Sequence, residues 1–327
     1  MSKFLFSIFF ISTLVGCHKI STQAPEKPKI TVAYTTQPQS ALIHIAIAKG
    51  YFADEGLEVQ SSIHSFGKAS LQTLLDNKSD FATVAETPVM FSVIKGEKIF
   101  VIANVEATTM NNAIVARKDA GINKASDLKG KRVGFTPGTT SEFFLDSMLA
   151  ANIFTRKDIQ AIPLKPDEMQ EGITSRKVDA VCTWNFPLTQ IYHLLGANGT
   201  IIFDREIYTE TYNVAAQQDF VQKNPATVKA FLRALLKAES YLEKNPVEAR
   251  GIMAKAANID ISLVQEIWSH FNFHVGLDQT LLITLEDETR WAIKNKLTDK
   301  TEMPDYRQYI HAESLKAIKP EAVKLNR

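Results

Sequence analysis

The sequence predicts an α/β protein of about two domains, and three observations carry that expectation. A strand–turn–helix pattern recurs three times between Ile30 and Lys95, and it returns between Ala113 and Leu195. The turns are rich in Gly, Pro, Ser and Thr, the residues that break a strand and open a helix. The 327 residues are 45% hydrophobic and 22% charged, enough apolar material for a sizeable core. Lysine and arginine number 37 against 36 acidic residues, a formal charge of +1 without long like-charge blocks, so no nucleic-acid surface is expected.

The first unit begins with Ile30 to Tyr34, which alternates like a strand. After Gln37-Pro38-Gln39, Leu42, Ile43, Ala46 and Ile47 fall at helical spacing between Ser40 and Lys49. Leu57 to Ile63 gives a second strand, Phe66-Gly67-Lys68 a turn, and Leu71, Leu74 and Leu75 a helix face. Asp80 to Val84 gives a third strand and Ala85-Glu86-Thr87 its turn, with Pro88 in the first helical turn, where its missing N–H is harmless. Three such units in succession predict parallel strands.

Ile99 to Val105 and Ala113 to Arg117 are extended, and the polar stretch Glu106 to Asn112 between them reads as a crossover. The central stretch Asp127 to Leu149 then passes from Val133 and Phe135 through Thr136-Pro137-Gly138 into Thr139-Thr140-Ser141, and Phe144, Leu145, Met148 and Leu149 mark a helix. A helix start offers free N–H groups and the positive end of the peptide dipoles, which suit a small anion. Thr139 and Glu142 also fit a Thr-x-x-Glu capping box, in which the helix satisfies those donors itself.

Ile159 to Leu164 reads as a strand, Glu168 to Ser175 as a helix and Ala180 to Thr183 as a strand. Trp184-Asn185-Phe186 forms the next turn, and a helix runs from Pro187 to Leu195. Thr211 to Ala216 is extended again. From Gln217 the chain is mostly helical, with starts at Asn224-Pro225, Asn245-Pro246 and Asp260 and core-type stripes at Phe231, Leu232, Leu235, Leu236 and at Leu281, Leu282, Leu285, Trp291.

The N-terminus differs in kind. Lys3 precedes the apolar run Phe4 to Val15, too short to span a bilayer but suited to a secretory signal. The run ends in Leu14-Val15-Gly16-Cys17, which resembles the bacterial lipobox. Residues 1–16 are thus expected to be a lipoprotein signal peptide, Cys17 the lipid-attachment residue, and 17–28 a polar, proline-bearing tether. Cys182 is the only other cysteine, so no intramolecular disulfide is expected.

Four of these stretches carry a family resemblance: His44 to Val59 (with Lys49-Gly-Tyr-Phe-Ala-Asp-Glu-Gly-Leu57), Asp80 to Pro88, Asp127 to Leu149, and Val178 to Pro187. In that order they resemble the substrate-binding lipoproteins of ABC transporters, in the family handling nitrate, sulfonates, taurine and thiamine precursors. The resemblance implies a type II periplasmic-binding-protein fold, with lobe 1 at 29–112 and 211–327, lobe 2 at 113–210, and a ligand cleft between them. It implies an exported, periplasmic or cell-surface monomer without cofactor or metal, held to the membrane by a lipid and delivering a small molecule to permease subunits.

Ligands of such sheets sit at the carboxyl ends of the strands, so the turns supply the candidate ligand residues. These are Gln37 and Ser40, Gly67 and Lys68, Glu86, Thr136, Gly138, Thr139, Thr140 and Ser141, Trp184 and Asn185, and Tyr212 at the second crossover. Thr139 to Ser141 are candidates for gripping an oxyanion through hydroxyl and backbone donors. Glu86 would repel a plain anion and pair with an amine or aminopyrimidine, or else it is simply a carboxylate at a helix start. Trp184 is either a flat wall of the site or a buried strand-end residue, Lys68 a ligand cation or a solvated lysine, and Tyr212 a cleft or a hinge residue.

No Gly-x-Ser-x-Gly elbow, Walker loop, Gly-x-Gly-x-x-Gly fingerprint or Cys-x-x-Cys pair occurs, which disfavours an enzyme. His270 and His274 have metal-ligand spacing but lack a third ligand. The reading is a receptor that is not an enzyme. The alternatives are an enzyme similar to the pyrimidine synthases of the same fold, whose cysteine-rich motif this sequence lacks, or a ligand-sensing module.

Overall fold

The computed structural model describes residues 27–325; the expected signal segment, Cys17 and the tether up to residue 26 lie outside the described residues. Among the described residues no helix is long and apolar enough to cross a membrane.

Among the described residues twelve strands form two sheets. Seven belong to the first: β1 (Lys29–Thr35), β2 (Glu58–His64), β3 (Phe81–Ala85), β4 (Ile99–Thr108), β10 (Glu210–Gln217), β11 (Asn272–Asp278) and β12 (Val323–Lys324). Five form the second: β5 (Asn112–Arg117), β6 (Arg132–Phe135), β7 (Gln160–Pro163), β8 (Ala180–Trp184) and β9 (Gly199–Ile202). The first sheet runs β12-β11-β4-β10-β3-β1-β2 and the second β7-β6-β8-β5-β9.

The expected parallel pairing holds for β2, β1 and β3 and for β7, β6 and β8. It does not extend through either sheet. The β10 strand is antiparallel to both β3 and β4, and β5 is antiparallel to β8 and β9. The cause is topological, since a strand arriving from the other lobe enters its sheet from the opposite end. The chain crosses at residues 109–111 and returns at 203–209. The lobe boundaries expected at 112/113 and 210/211 each fall one residue inside a strand, because Asn112 opens β5 in the second sheet and Glu210 opens β10 in the first.

Helices cover the sheets where the apolar stripes predict them. Phe231, on the helix Pro225–Lys244, stacks on Phe81 of β3 with ring centroids 4.0 Å apart and also meets Phe52. All three rings are buried, and truncating a core phenylalanine of this kind typically costs about 3–5 kcal/mol. Proline at the first position opens this helix and the next, Pro246–Ala257. Two further helices follow their strands without a loop, Glu86–Ile94 after β3 and Asn185–Leu195 after β8. The latter starts two residues before the expected Pro187, which is accommodated within the first turn. Strand ends and helix starts therefore converge on the gap between the sheets.

Candidate ligand site in the interlobe cleft

A chamber closes between the lobes, lined from the first lobe by Gln37, Gln39, Phe66, Gly67, Lys68, Ala85 and Pro88 and from the second by Thr139, Thr140 and Trp184. The first crossover contributes Asn111, and β10, directly after the second crossover, contributes Glu210 and Tyr212. Its volume is only ≈ 20 Å³, about the room for one water molecule, so the lobes are drawn tightly together.

Glu210 is the acidic residue of this lining and is fully buried. Its Oε1 accepts from Gln39 Nε2 at 3.0 Å and Asn111 Nδ2 at 2.9 Å, and its Oε2 from Asn111 Nδ2 at 2.8 Å and Asn112 Nδ2 at 2.5 Å. Asn112 Oδ1 in turn accepts from the Thr140 hydroxyl at 2.9 Å. One carboxylate thus gathers a first-lobe side chain, the first crossover and, through Asn112, the second-lobe helix start. Burial raises its pKa, and the surrounding amide donors work in the opposite direction. All these partners are neutral, so a ligand donor or cation finds an uncompensated acceptor here.

The chamber's one cationic lining residue, Lys68, donates instead to the Pro137 carbonyl at 2.9 Å, across the cleft. Trp184 is buried, and its indole Nε1 has no acceptor among the described residues. Tyr212 is buried, with its hydroxyl 3.0 Å from Thr35 Oγ1 and 3.5 Å from Gln37 Oε1. A Cβ at Gly67 would lie 3.0 Å from that hydroxyl and 3.1 Å from Val84 Cα, so only glycine lets the turn sit this close.

Several expectations need correction. Thr139 and Glu142 do not form a capping box: Thr139 Oγ1 donates to the Thr136 carbonyl at 2.7 Å, and Glu142 Oε2 accepts from Gly138 N at 2.6 Å, one residue too early. Nor are the three hydroxyls available to donate to an oxyanion. Thr139 is committed to Thr136, Thr140 to Asn112, and Ser141 to the Cys182 carbonyl at 2.7 Å. Thr136, whose N–H donates to Ser141 Oγ at 3.1 Å, and Ser141 itself stitch strand to helix and do not line the chamber. Ser40 does the same in the first lobe, between Thr35 Oγ1 at 2.9 Å and Thr83 Oγ1 at 3.0 Å.

Gly138, in the left-handed region at φ +66°, lies on a neighbouring groove with Lys68. Asn185 lies just outside the chamber, where its Nδ2 donates to Gln39 Oε1 at 3.3 Å. Gln37, Gly67, Lys68, Thr139, Thr140, Trp184 and Tyr212 do line it.

Glu86 is absent from the lining. Ala85 and Pro88 face the chamber, and the helical turn of about 100° per residue carries Glu86 off that face into the core. There it accepts from the Tyr208 hydroxyl, from Thr211 N at 2.8 Å and from Thr211 Oγ1 at 3.1 Å. Burial and the nearby carboxylates of Glu288 and Glu210 push its pKa well up. The sequence reading offers Glu86 either as a cleft carboxylate or as a plain helix-start residue, whereas the carboxylate on the chamber wall is Glu210, which that reading does not name, nor its neighbours Asn111 and Gln39. The available signal was the pairing of polar residues at the two crossovers, Asn111-Asn112 and Glu210-Thr211-Tyr212.

The described residues contain no cluster of three or more His, Cys, Asp and Glu able to hold a metal; His270 and His274 lie on a short helical turn and on β11. Cys182 is buried, its thiol donates to the Ser141 carbonyl, and burial drives its pKa up, so it is not poised as a nucleophile.

Comparison with known proteins places these features in context. The family model described as NMT1/THI5 like matches residues 37–249. A Haemophilus influenzae protein described as a thiamine biosynthesis protein is 28% identical over 234 residues, 69% of this chain and 72% of its own length. The formylaminopyrimidine-binding protein of Halalkalibacterium halodurans is 22% identical over 272 residues, 80% of this chain and 81% of its own. Among solved structures, the periplasmic aliphatic sulphonate binding protein SsuA from Escherichia coli superposes with a TM-score of 0.76 at 19% identity, covering 88% of this chain and 92% of that one.

Proposed function

The chain belongs to the NMT1/THI5-like family and has the periplasmic-binding-protein fold, and from that premise we propose that it is a solute receptor whose ligand presents an amine or amino group to Glu210. The observation that carries this reading is the buried Glu210 carboxylate, held only by neutral amides. A plain anion such as nitrate or an alkanesulfonate would meet repulsion there, and the chamber's lysine is engaged with Pro137. An aminopyrimidine meets both halves of the site, since its amino group donates to Glu210 while a ring nitrogen accepts from Trp184 Nε1. The names of the relatives in thiamine biosynthesis and formylaminopyrimidine binding support the same class.

Delivery to an ABC permease, export, and a lipid anchor at Cys17 belong to this reading, on the strength of the apolar run Phe4 to Val15 and the Leu14–Cys17 motif. A binding role rather than an enzymatic one belongs to the same reading, supported by the binding-protein names among the relatives and structural neighbours.

Thermal unfolding tests the reading. 4-Aminopyrimidine, taurine, ethanesulfonate, nitrate and bicarbonate are compared on the soluble chain from residue 18 onward. A true ligand at a hundred times its dissociation constant adds about 2.7 kcal/mol. A raised midpoint with 4-aminopyrimidine and none with nitrate or ethanesulfonate is the expected result; the reverse pattern would overturn it.

A further inference from the structure

Beside the chamber lies a second, far larger cavity of ≈ 450 Å³. The two share Gln37, Phe66 and Trp184 as lining residues, so they lie side by side with these three side chains at their common border. Phe186, Pro187, Pro166 and Ile259 give it further apolar wall, and its remaining lining is polar: Thr36, Ser65 and Asn185 beside the charged Lys165 and Asp167 and the amide of Gln190. Both lobes contribute: Phe66 and Ile259 belong to the first, Pro166, Trp184 and Phe186 to the second.

The contrast in size is the argument. A volume of ≈ 20 Å³ at Glu210 admits a group of one or two heavy atoms, such as an amino group, but not a ring. The ≈ 450 Å³ beyond Trp184 is within the range of pockets that enclose whole small molecules. A ligand that reaches Glu210 with the lobes closed must therefore keep its bulk in the outer cavity. The walls there suit a flat apolar body lying against Trp184 and Phe66.

Resting on the amine-directed reading of Glu210, we propose that this antechamber is a second subsite of the same receptor. It takes the aromatic or otherwise flat apolar body of an extended ligand whose amino head enters the chamber. The substrate class is then an amino heterocycle carrying a further apolar substituent, rather than a compact polar solute. Closure of the lobes buries the substituent between Phe66 and Ile259 on one side and Phe186 and Pro166 on the other.

The test compares 4-aminopyrimidine with 4-amino-5-benzylpyrimidine by isothermal titration calorimetry on the same soluble chain. The benzyl compound should bind about tenfold or more tightly, the gain expected from burying a phenyl group. Two variants probe the antechamber without touching Glu210: Gln190→Trp, which fills it from an exposed position, and Ile259→Asp, which makes its wall polar. Each should abolish the benzyl gain, so that the two compounds bind alike, while an unchanged far-UV circular dichroism spectrum and a cooperative thermal transition report that the variant is folded. Equal affinity for the two compounds, or a gain that survives both variants, would overturn the antechamber while leaving the Glu210 reading intact. Failure of both compounds to bind the unmodified chain would overturn the Glu210 reading and the antechamber with it.

Discussion

The Lys68 ammonium donates to the Pro137 carbonyl at 2.9 Å, tying the first turn of a first-lobe helix to the strand–helix turn of the second lobe. It is a latch across the cleft mouth. Lys68→Met keeps most of the stem but removes the bond, and such partly exposed contacts are typically worth about 1 kcal/mol. The expected outcome is up to about fivefold weaker binding of 4-aminopyrimidine, carried mainly by a faster off-rate in stopped-flow measurements. Gly138→Ala reaches the latch from the other side, since its Cβ would lie 2.7 Å from Lys68 Nζ at a φ of +66°. It should reproduce the faster off-rate and add a loss of stability of about 1 kcal/mol.

Glu210→Gln replaces an acceptor surrounded by donors with a group that brings two N–H bonds of its own. One of the contacts from Gln39, Asn111 and Asn112 must become donor against donor. Loss of stability of about 1–3 kcal/mol in urea unfolding is expected, together with at least about a tenfold loss in affinity for 4-aminopyrimidine. Glu86→Gln is the matched control: it lies off the chamber and should leave that affinity unchanged. A tenfold loss at Glu86 would contradict the assignment of the two carboxylates.

Stability should fall on both sides of a pH optimum, for opposite reasons. His44 is buried, its Nε2 lies 2.8 Å from the Thr35 carbonyl, and burial depresses its pKa from 6.5 to about 4. Above pH 6.5 it is neutral whether folded or unfolded. Below that the unfolded chain takes up a proton that the folded chain refuses, so about 3 kcal/mol is lost between pH 6.5 and 4. Glu86 and Glu288 act the other way: burial, then neighbouring carboxylates, raise their pKa values, so their contribution is complete below about 4.5 and is lost as pH rises. Urea midpoints against pH should show a flatter acid limb in His44→Gln. In Glu288→Gln the midpoint should rise more at pH 8 than at pH 5.

How much of this was legible in the sequence depends on how local each signal is. The strand–turn–helix units could be read because alternation in Ile30–Tyr34 and spacing in Leu71, Leu74 and Leu75 are local properties. Gln37, Gly67, Lys68, Thr139, Thr140, Trp184 and Tyr212 reach the chamber because turns at strand ends face the gap. Which of its two readings Glu86 takes was not legible, because a single helical position separates it from the chamber face held by Ala85 and Pro88. Ser40 and Ser141 carry the right atoms for a ligand, but neighbouring strands consume them. Glu210 was hidden because its meaning depends on Asn111, ninety-nine residues earlier, and only the paired crossovers bring them together.

Ile153 is the clearest case of local strain. It follows the helix Thr140–Ala151 at φ +62° and is 94% exposed. The bonds Ile153 N to Ala150 O at 3.0 Å and Phe154 N to Leu149 O at 2.8 Å form a left-handed helix terminus, the position glycine normally takes. A β-branched side chain is disfavoured there and packs against almost nothing. Ile153→Gly should stabilise the protein by about 1 kcal/mol in urea unfolding, with no change in affinity for 4-aminopyrimidine.

The placement of β10 between β3 and β4 has a consequence for how the molecule is made. The second sheet is encoded without interruption from Asn112 to Ile202, so it can assemble from that segment alone once it is free to fold. The first sheet cannot. Its central strand arrives only at Glu210–Gln217, and until then β3 and β4 have no partner on their facing edges. The strands β3 and β4 must wait, with facing edges unpaired, for a strand that begins about a hundred residues later in the chain, while the second sheet needs nothing beyond its own segment.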